Sequence, residues 1–421
     1  LPNLSRLMDQ GQWGPLASCH PPITVPAWSA MMSGLDPGEL GIYGFRNRKD
    51  HSYDGYAIAN ATAVKVDRVW DVLSRAGKKV LLVGVPQTYP IHPIDGWVVS
   101  DFLTPSTKSE YTYPSALKAE VERVSDGYVL DVENFRTDDK AALLERIHAK
   151  TRKHFAVARH LCRTKPWDFF MMVEMGVDRI HHGFWSYMDP AHRKYQRGNP
   201  FEDAIRDYYR YVDREVGELL GCLPRDTVVF VVSDHGARRM DGGICFNEWL
   251  IQEGYLTLTS YPATATPIDK AEIDWSRTRA WGDGGYYGRL FLNVRGREPR
   301  GVIEPGDYEK VRSELIDRIA AITDPEGGNI GSKAHRPEDL YRRVGGVAPD
   351  LIVYFGDLAW RSVGTVGTKA VHTFDNDTGP DEANHDWEGI FVMRGDGASP
   401  GRTDGLRLQD VGTKVRALYG V

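Results

Sequence analysis

Thr227-Val-Val-Phe-Val-Val232, followed at once by Ser233-Asp-His-Gly236, is the stretch on which the reading of this chain turns. Its β-branched residues predict a strand, apolar on both faces, as in the middle of a covered parallel sheet. A carboxylate and an imidazole at the carboxyl end of such a strand stand where open α/β sheets place their chemistry. Both Asp234 and His235 are also good metal ligands. A surface turn capped by Ser233 and Asp234 fits the same residues. Ligands at the ends of other strands decide between the two readings.

Outward from this stretch, strands and helices alternate, which predicts an α/β fold with a mainly parallel sheet covered by helices on both faces. Val69–Ala76 reads as helix, closed by Gly77, and 79–85 as strand. A long helix over 140–161 leads to a strand over 169–173. Ile205, Tyr208, Val212, Val216 and Leu219 recur at helical spacing before the 227–232 strand. Strands at 351–355 and 390–393 and a helix near 410–419 follow. Leu4, Leu7 and Met8 mark a short amphipathic helix near residue 1, which is Leu and not Met. The abrupt opening suggests that a first strand lies outside the sequence. Between Ala237 and Gly346 the alternation fails amid glycine clusters and aromatics. We therefore expect a catalytic core over 1–236 and 347–421, with an inserted, lid-like region over 237–346.

Composition narrows the function. Hydrophobic residues at 41% and charged residues at 26% of 421 describe an ordinary globular protein with ample core. A formal net charge of −6 argues against a protein that coats nucleic acid, while leaving room for a local phosphate site. The four cysteines, Cys19, Cys162, Cys222 and Cys245, show no CxxC spacing and read as reduced thiols of a cytoplasmic protein. No run is long enough to predict a membrane span. Nothing in the sequence fixes an oligomeric state.

Three further groups of residues carry candidate chemistry. Asp178 and His182 stand four apart in Met175-Gly-Val-Asp-Arg-Ile-His-His-Gly183. A helix beginning after Gly176 puts both on one face, where they can share a metal. An ordinary cap and a surface histidine would look the same, and His181 points elsewhere. His385 lies in the acidic stretch Gly379-Pro-Asp-Glu-Ala-Asn-His-Asp386. Thr24 precedes Val25-Pro26, with Pro26 suited to a first helical turn and Gly34 to the helix end. A helix N-terminus favours an anion there, and a metal would turn the hydroxyl into a competent nucleophile. Arg46 and Arg48, shortly after, could fork onto phosphate oxygens or form a solvated basic turn.

Thr24-Val-Pro-Ala-Trp28, Ser33-Gly-Leu-Asp-Pro-Gly38, Asp178 with His182, Ser233-Asp-His-Gly236 and His385 follow one another in the order of the alkaline phosphatase superfamily. The chain resembles its type I phosphodiesterase/nucleotide pyrophosphatase branch. Met175–Trp185 and Gly296-Arg-Glu-Pro299 resemble a bacterial group described as phosphohydrolases or phosphomutases. The resemblance implies an alkaline-phosphatase-like core binding two divalent ions, Zn²⁺ or Mn²⁺. It assigns Asp178, His182 and His385 to one ion and Asp234 and His235 to the other, with Thr24 as nucleophile. A further aspartate, at the end of the family's first strand, has no counterpart in the sequence.

The resemblance implies a hydrolase of phosphate mono- or diesters acting on a phosphorylated small molecule through a phosphothreonyl intermediate. A phosphomutase, returning the phosphoryl group to substrate, is the alternative, and a non-catalytic scaffold of the same fold is a third. Threonine in place of the serine usual in mutases favours hydrolysis. Cys19-His-Pro-Pro-Ile23 resembles the sulfatase motif only superficially, because its arginine is absent.

Overall fold

The computed structural model describes residues 1–421. Two compact units divide the chain: Leu1–Asp36 with Ala59–Ala237 and Asp386–Val421, and Pro37–Ile58 with Arg238–His385. The chain leaves the first unit along the strand Gly236–Arg239 and returns along Ala383–Asp386, and these two strands pair.

The first unit holds two sheets. In one, the wholly buried strand Val80–Val83 lies between Gly96–Val99 and Phe169–Met172, both parallel to it. Thr112–Tyr113 adds an antiparallel edge. This is the covered parallel arrangement that a continuous apolar run predicts. In the other sheet, Gln12–Ala17 pairs antiparallel with Glu388–Arg394, which pairs antiparallel with Val229–Val232. Short parallel strands, Gly401–Arg402 and Leu406–Arg407, also join Gln12–Ala17.

The strand before Asp234 therefore differs from its expectation in one respect. It is an antiparallel edge strand, not the centre of a parallel sheet. Its two apolar faces have another cause. Val229 and Val231 pack with Leu7, Leu220 and Val392, while Phe230 and Val232 pack with the core of Leu16, Met31 and Phe391. Burial on both faces is what the sequence recorded, and burial does not depend on strand direction.

The helices sit close to their predicted places. Lys140–Thr164 begins at Asp139, whose carboxylate accepts from the Ala142 N–H at 3.2 Å. Ala204–Leu220 packs on it and on Gly176–Met188. Leu408–Tyr419 lies against Thr24–Ser33, and Gly412 allows the approach. A Cβ there would meet the Met31 carbonyl oxygen at 2.4 Å. Asp213, buried in Ala204–Leu220, accepts from the backbone N–H groups of Asn3 and Leu4 at 3.1 and 2.9 Å. It thereby satisfies the open N-terminus of the helix Pro2–Asp9.

The second unit has a core of its own around Phe246, Trp281, Leu290, Phe291, Leu315 and Val353. Its largest sheet runs Ala280–Asp283, Gly288–Leu292, Leu351–Tyr354, Lys333–His335, all antiparallel. No helix of the chain is long and apolar enough to cross a membrane.

Candidate active site

Asp234 and His235 follow the strand Val229–Val232 directly, and local bonds fix the turn. The Ser18 hydroxyl donates to the Asp234 carbonyl oxygen at 2.6 Å, and the Ser233 hydroxyl accepts from the Ile390 N–H at 2.9 Å. The His235 Nδ1 lies 2.8 Å from the Gly236 carbonyl oxygen. A carbonyl can only accept, so Nδ1 carries the proton. Nε2 is then the ring nitrogen left for a metal. That Nε2 faces Asp234 Oδ2 at 3.3 Å.

Asp234 Oδ2 is buried and makes no hydrogen bond. Burial pushes the Asp234 carboxyl above its usual range, Asp178 pushes it the same way, and His235 opposes both. A buried carboxylate oxygen with no hydrogen bond is unfavourable as it stands. A cation resolves it. The donor set thus fits a divalent metal.

Asp178 and His182 come together as their spacing predicts. The helix Gly176–Met188 starts just after the parallel strand Phe169–Met172, and it carries Asp178 and His182 on one face. Asp178 Oδ1 lies 3.3 Å from His182 Nε2. The His181 Nε2 instead meets the Tyr209 hydroxyl at 3.0 Å. Burial lowers the His181 pKa to about 4, so its ring is neutral at ordinary pH.

His385 is the last residue of the second unit, one peptide bond from Asp386 of the first. His385 is buried, its ring 4.6 Å from that of Tyr286, whose hydroxyl donates to Asp381 Oδ2 at 2.8 Å.

Thr24 is buried and opens the helix Thr24–Ser33, which ends at Gly34 in the left-handed region (φ 81°). Ile23, not Thr24, is the N-cap residue, and no side chain caps this end. The Thr24 side chain is therefore not spent on capping.

Arg48 is taken up inside the second unit. Its guanidinium donates to the Ser52 carbonyl oxygen at 3.2 Å, pairs with Glu298 at 3.5 Å and lies over the Trp281 and Phe291 rings. Arg46, in the same short strand, is exposed. Glu298, part of the Gly296-Arg-Glu-Pro299 stretch, also accepts from the Val294 N–H at 2.9 Å. That stretch reads here as a structural anchor.

Sequence reasoning missed the polar groups beneath these ligands. Arg179 reaches from Asp178 to Asp131. Glu174 gathers Lys150, His154 and Thr151 under the start of the 176–188 helix. Gly176 makes room for them. A Cβ there would fall 2.0 Å from the Tyr208 hydroxyl and 2.7 Å from Glu174 Oε1. The glycine in Met175-Gly-Val-Asp was the one signal of such a close approach.

Residues 1–387 match the family described as type I phosphodiesterase/nucleotide pyrophosphatase. The chain belongs to this family. It is accordingly a phosphoric ester hydrolase of the alkaline phosphatase superfamily. The family is metal-dependent, typically with a two-metal site. No curated protein sequence matches the chain.

Among solved structures, murine ectonucleotide pyrophosphatase/phosphodiesterase 5, in an inactive variant bound to AMP, is similar with a TM-score of 0.56 and 14% identity. The match covers 100% of this chain and 90% of that one. Phosphonoacetate hydrolase from Sinorhizobium meliloti, bound to phosphonoformate, gives a TM-score of 0.62 and 17% identity over 99% of this chain and 89% of that one. Both likenesses establish the fold, alkaline-phosphatase-like α/β, as expected.

Proposed function

We propose that the chain hydrolyses mono- or diesters of a phosphorylated small molecule, with Thr24 as nucleophile and Asp178, His182, Asp234, His235 and His385 holding two divalent ions. The observation that carries this reading is the buried Asp234 Oδ2, which makes no hydrogen bond and faces His235 Nε2 at 3.3 Å. Carboxylates and imidazoles suit Zn²⁺ or Mn²⁺. Such ions would supply charge neutralisation at the phosphoryl oxygens and lower the pKa of a hydroxyl beside them.

The chain's own groups do the rest. Thr24 Oγ1, at the N-terminus of its helix, attacks phosphorus in line while the open N–H groups of that turn favour the anionic phosphoryl group. The ester oxygen leaves, and the product is a phosphothreonyl chain. The Thr24 proton leaves on the released alcohol, and water then cleaves the intermediate, returning the Thr24 hydroxyl and yielding phosphate from a monoester or a phosphate monoester from a diester. His235 stays in one tautomer throughout, because Nδ1 is committed to the Gly236 carbonyl.

Arg46 is the arginine proposed to meet substrate, since Arg48 is occupied within its own unit. Residues 237–346 are proposed to carry substrate specificity. Four unpaired thiols support placing the protein in the cytoplasm.

The test is hydrolysis of para-nitrophenyl phosphate and bis-para-nitrophenyl phosphate by the full chain with added Zn²⁺ or Mn²⁺, together with mass analysis of quenched protein. Thr24→Ala should lower kcat by about 10³-fold or more while leaving metal content unchanged, and should abolish phosphate labelling at Thr24. Full activity of Thr24→Ala would overturn the proposal. Transfer of the phosphoryl group back to a phosphosugar, with no phosphate release, would replace hydrolysis by a mutase.

A further inference from the structure

Asp178 uses its two carboxylate oxygens differently. Oδ1 faces His182, whereas Oδ2 accepts from Arg179 Nη1 at 2.6 Å. Arg179 is itself clamped, with Nε and Nη2 donating to the two oxygens of Asp131 at 3.0 and 2.6 Å. This is a bidentate fork, the geometry in which a guanidinium is held most firmly.

Asp131 is fixed in turn by the bend it sits in. Its Oδ1 accepts from the Val132 N–H at 2.7 Å, and Val132 is buried against Ile180 and Phe184 of the 176–188 helix. Phe135 completes the seat. Its ring lies 4.3 Å from the Arg179 guanidinium carbon and 6.3 Å from the His182 ring. Asp131, Val132 and Phe135 thus hold the helix at Arg179, Ile180 and Phe184, with the Phe135 ring facing the His182 ring.

We infer that Asp131 and Arg179 are positioning residues that hold the Asp178 carboxylate so that Oδ1 alone is presented to a divalent cation. The inference rests on the reading of Asp178 as a metal ligand. Two physical effects follow from the arrangement. A carboxylate pinned at one oxygen has lost its rotational freedom before a cation arrives, so binding costs less ordering entropy. Arg179 also withdraws charge from the carboxylate, and Asp131 returns part of it, so the pair sets how strongly Oδ1 attracts a cation. Lysine at 179 would keep the charge and lose the fork.

The experiment is a Mn²⁺ titration of the full chain by equilibrium dialysis, beside kcat and KM on bis-para-nitrophenyl phosphate and thermal melting. Asp131→Asn and Arg179→Lys should each weaken Mn²⁺ binding by about 10- to 100-fold. Saturating Mn²⁺ should recover most of kcat, and Asp131→Glu should bind more tightly than Asp131→Asn. Wild-type Mn²⁺ affinity in a folded Arg179→Lys variant would overturn the inference, as would equal loss of kcat at all Mn²⁺ concentrations. Asp178→Asn separates the two levels of argument. If it too binds Mn²⁺ normally, the metal reading of Asp178 fails. If it alone loses binding, only the clamp fails.

Discussion

Burial decides which charges this chain tolerates, and Asp101 shows it most simply. Its side chain accepts from the Thr88 and Leu103 N–H groups, both at 2.6 Å, yet desolvation outweighs these bonds and raises its pKa to about 6. A carboxyl whose pKa is higher folded than unfolded adds stability fully below pH 3.8 and loses it as pH rises through about 6. The loss across that window is on the order of 2–3 kcal/mol. Asp101→Asn should remove this slope, so the melting difference from wild type shrinks between pH 4 and pH 6.5; a constant difference would contradict it. Such environments were hidden from the sequence. Asp178 and His182 announced themselves by spacing, because a helix makes i and i+4 neighbours whatever surrounds it. Asp131 and Arg179 are 48 residues apart and met only through the packing of Val132, which no local pattern encodes.

At the scale of elements, the starting point of the 176–188 helix is fixed by a buried cluster. Lys150 Nζ lies 3.1 Å from Glu174 Oε1 and 2.8 Å from His154 Nδ1, and the Gly176 N–H donates to the same Glu174 oxygen at 2.7 Å. Lys150 counters the burial of Glu174, whose pKa is lowered to about 2. Removing one member of such a pair leaves the other charge uncompensated. Lys150→Met should therefore cost about 3–5 kcal/mol in denaturant unfolding, and adding Glu174→Gln should restore part of it. A double variant less stable than Lys150→Met would refute this. Helices proved more legible than sheets. Their 3.6-residue rhythm placed 140–164, 204–220 and 408–419 within a few residues, because the rhythm needs one buried face and nothing else. Strand direction is set by partners distant in sequence, so the 229–232 run showed its burial and concealed its antiparallel pairing.

For the molecule as a whole, metal binding and stability are one quantity. A ligand that binds only the folded chain stabilises it by about 2.7 kcal/mol at a hundredfold excess over Kd. Mn²⁺ or Zn²⁺ should therefore raise the melting temperature by several degrees, and a chelator should reverse the gain. His235→Ala should abolish that response, and a response that survives the substitution would place the ion elsewhere. The family match over residues 1–387 agrees with the order of motifs, which was legible because the motif residues cluster in short words such as Ser233-Asp-His-Gly236.

The pairing of Gln12–Ala17 with Glu388–Arg394 has a consequence for how the chain is made. A ribosome delivers one edge of this sheet almost 380 residues before its partner, so closure must await synthesis of the whole stretch between them. His385 emerges three residues ahead of that partner. Until Glu388–Arg394 emerges, Gln12–Ala17 and Val229–Val232 both lack the strand that pairs with them, and each stands as an open edge that another chain could take up.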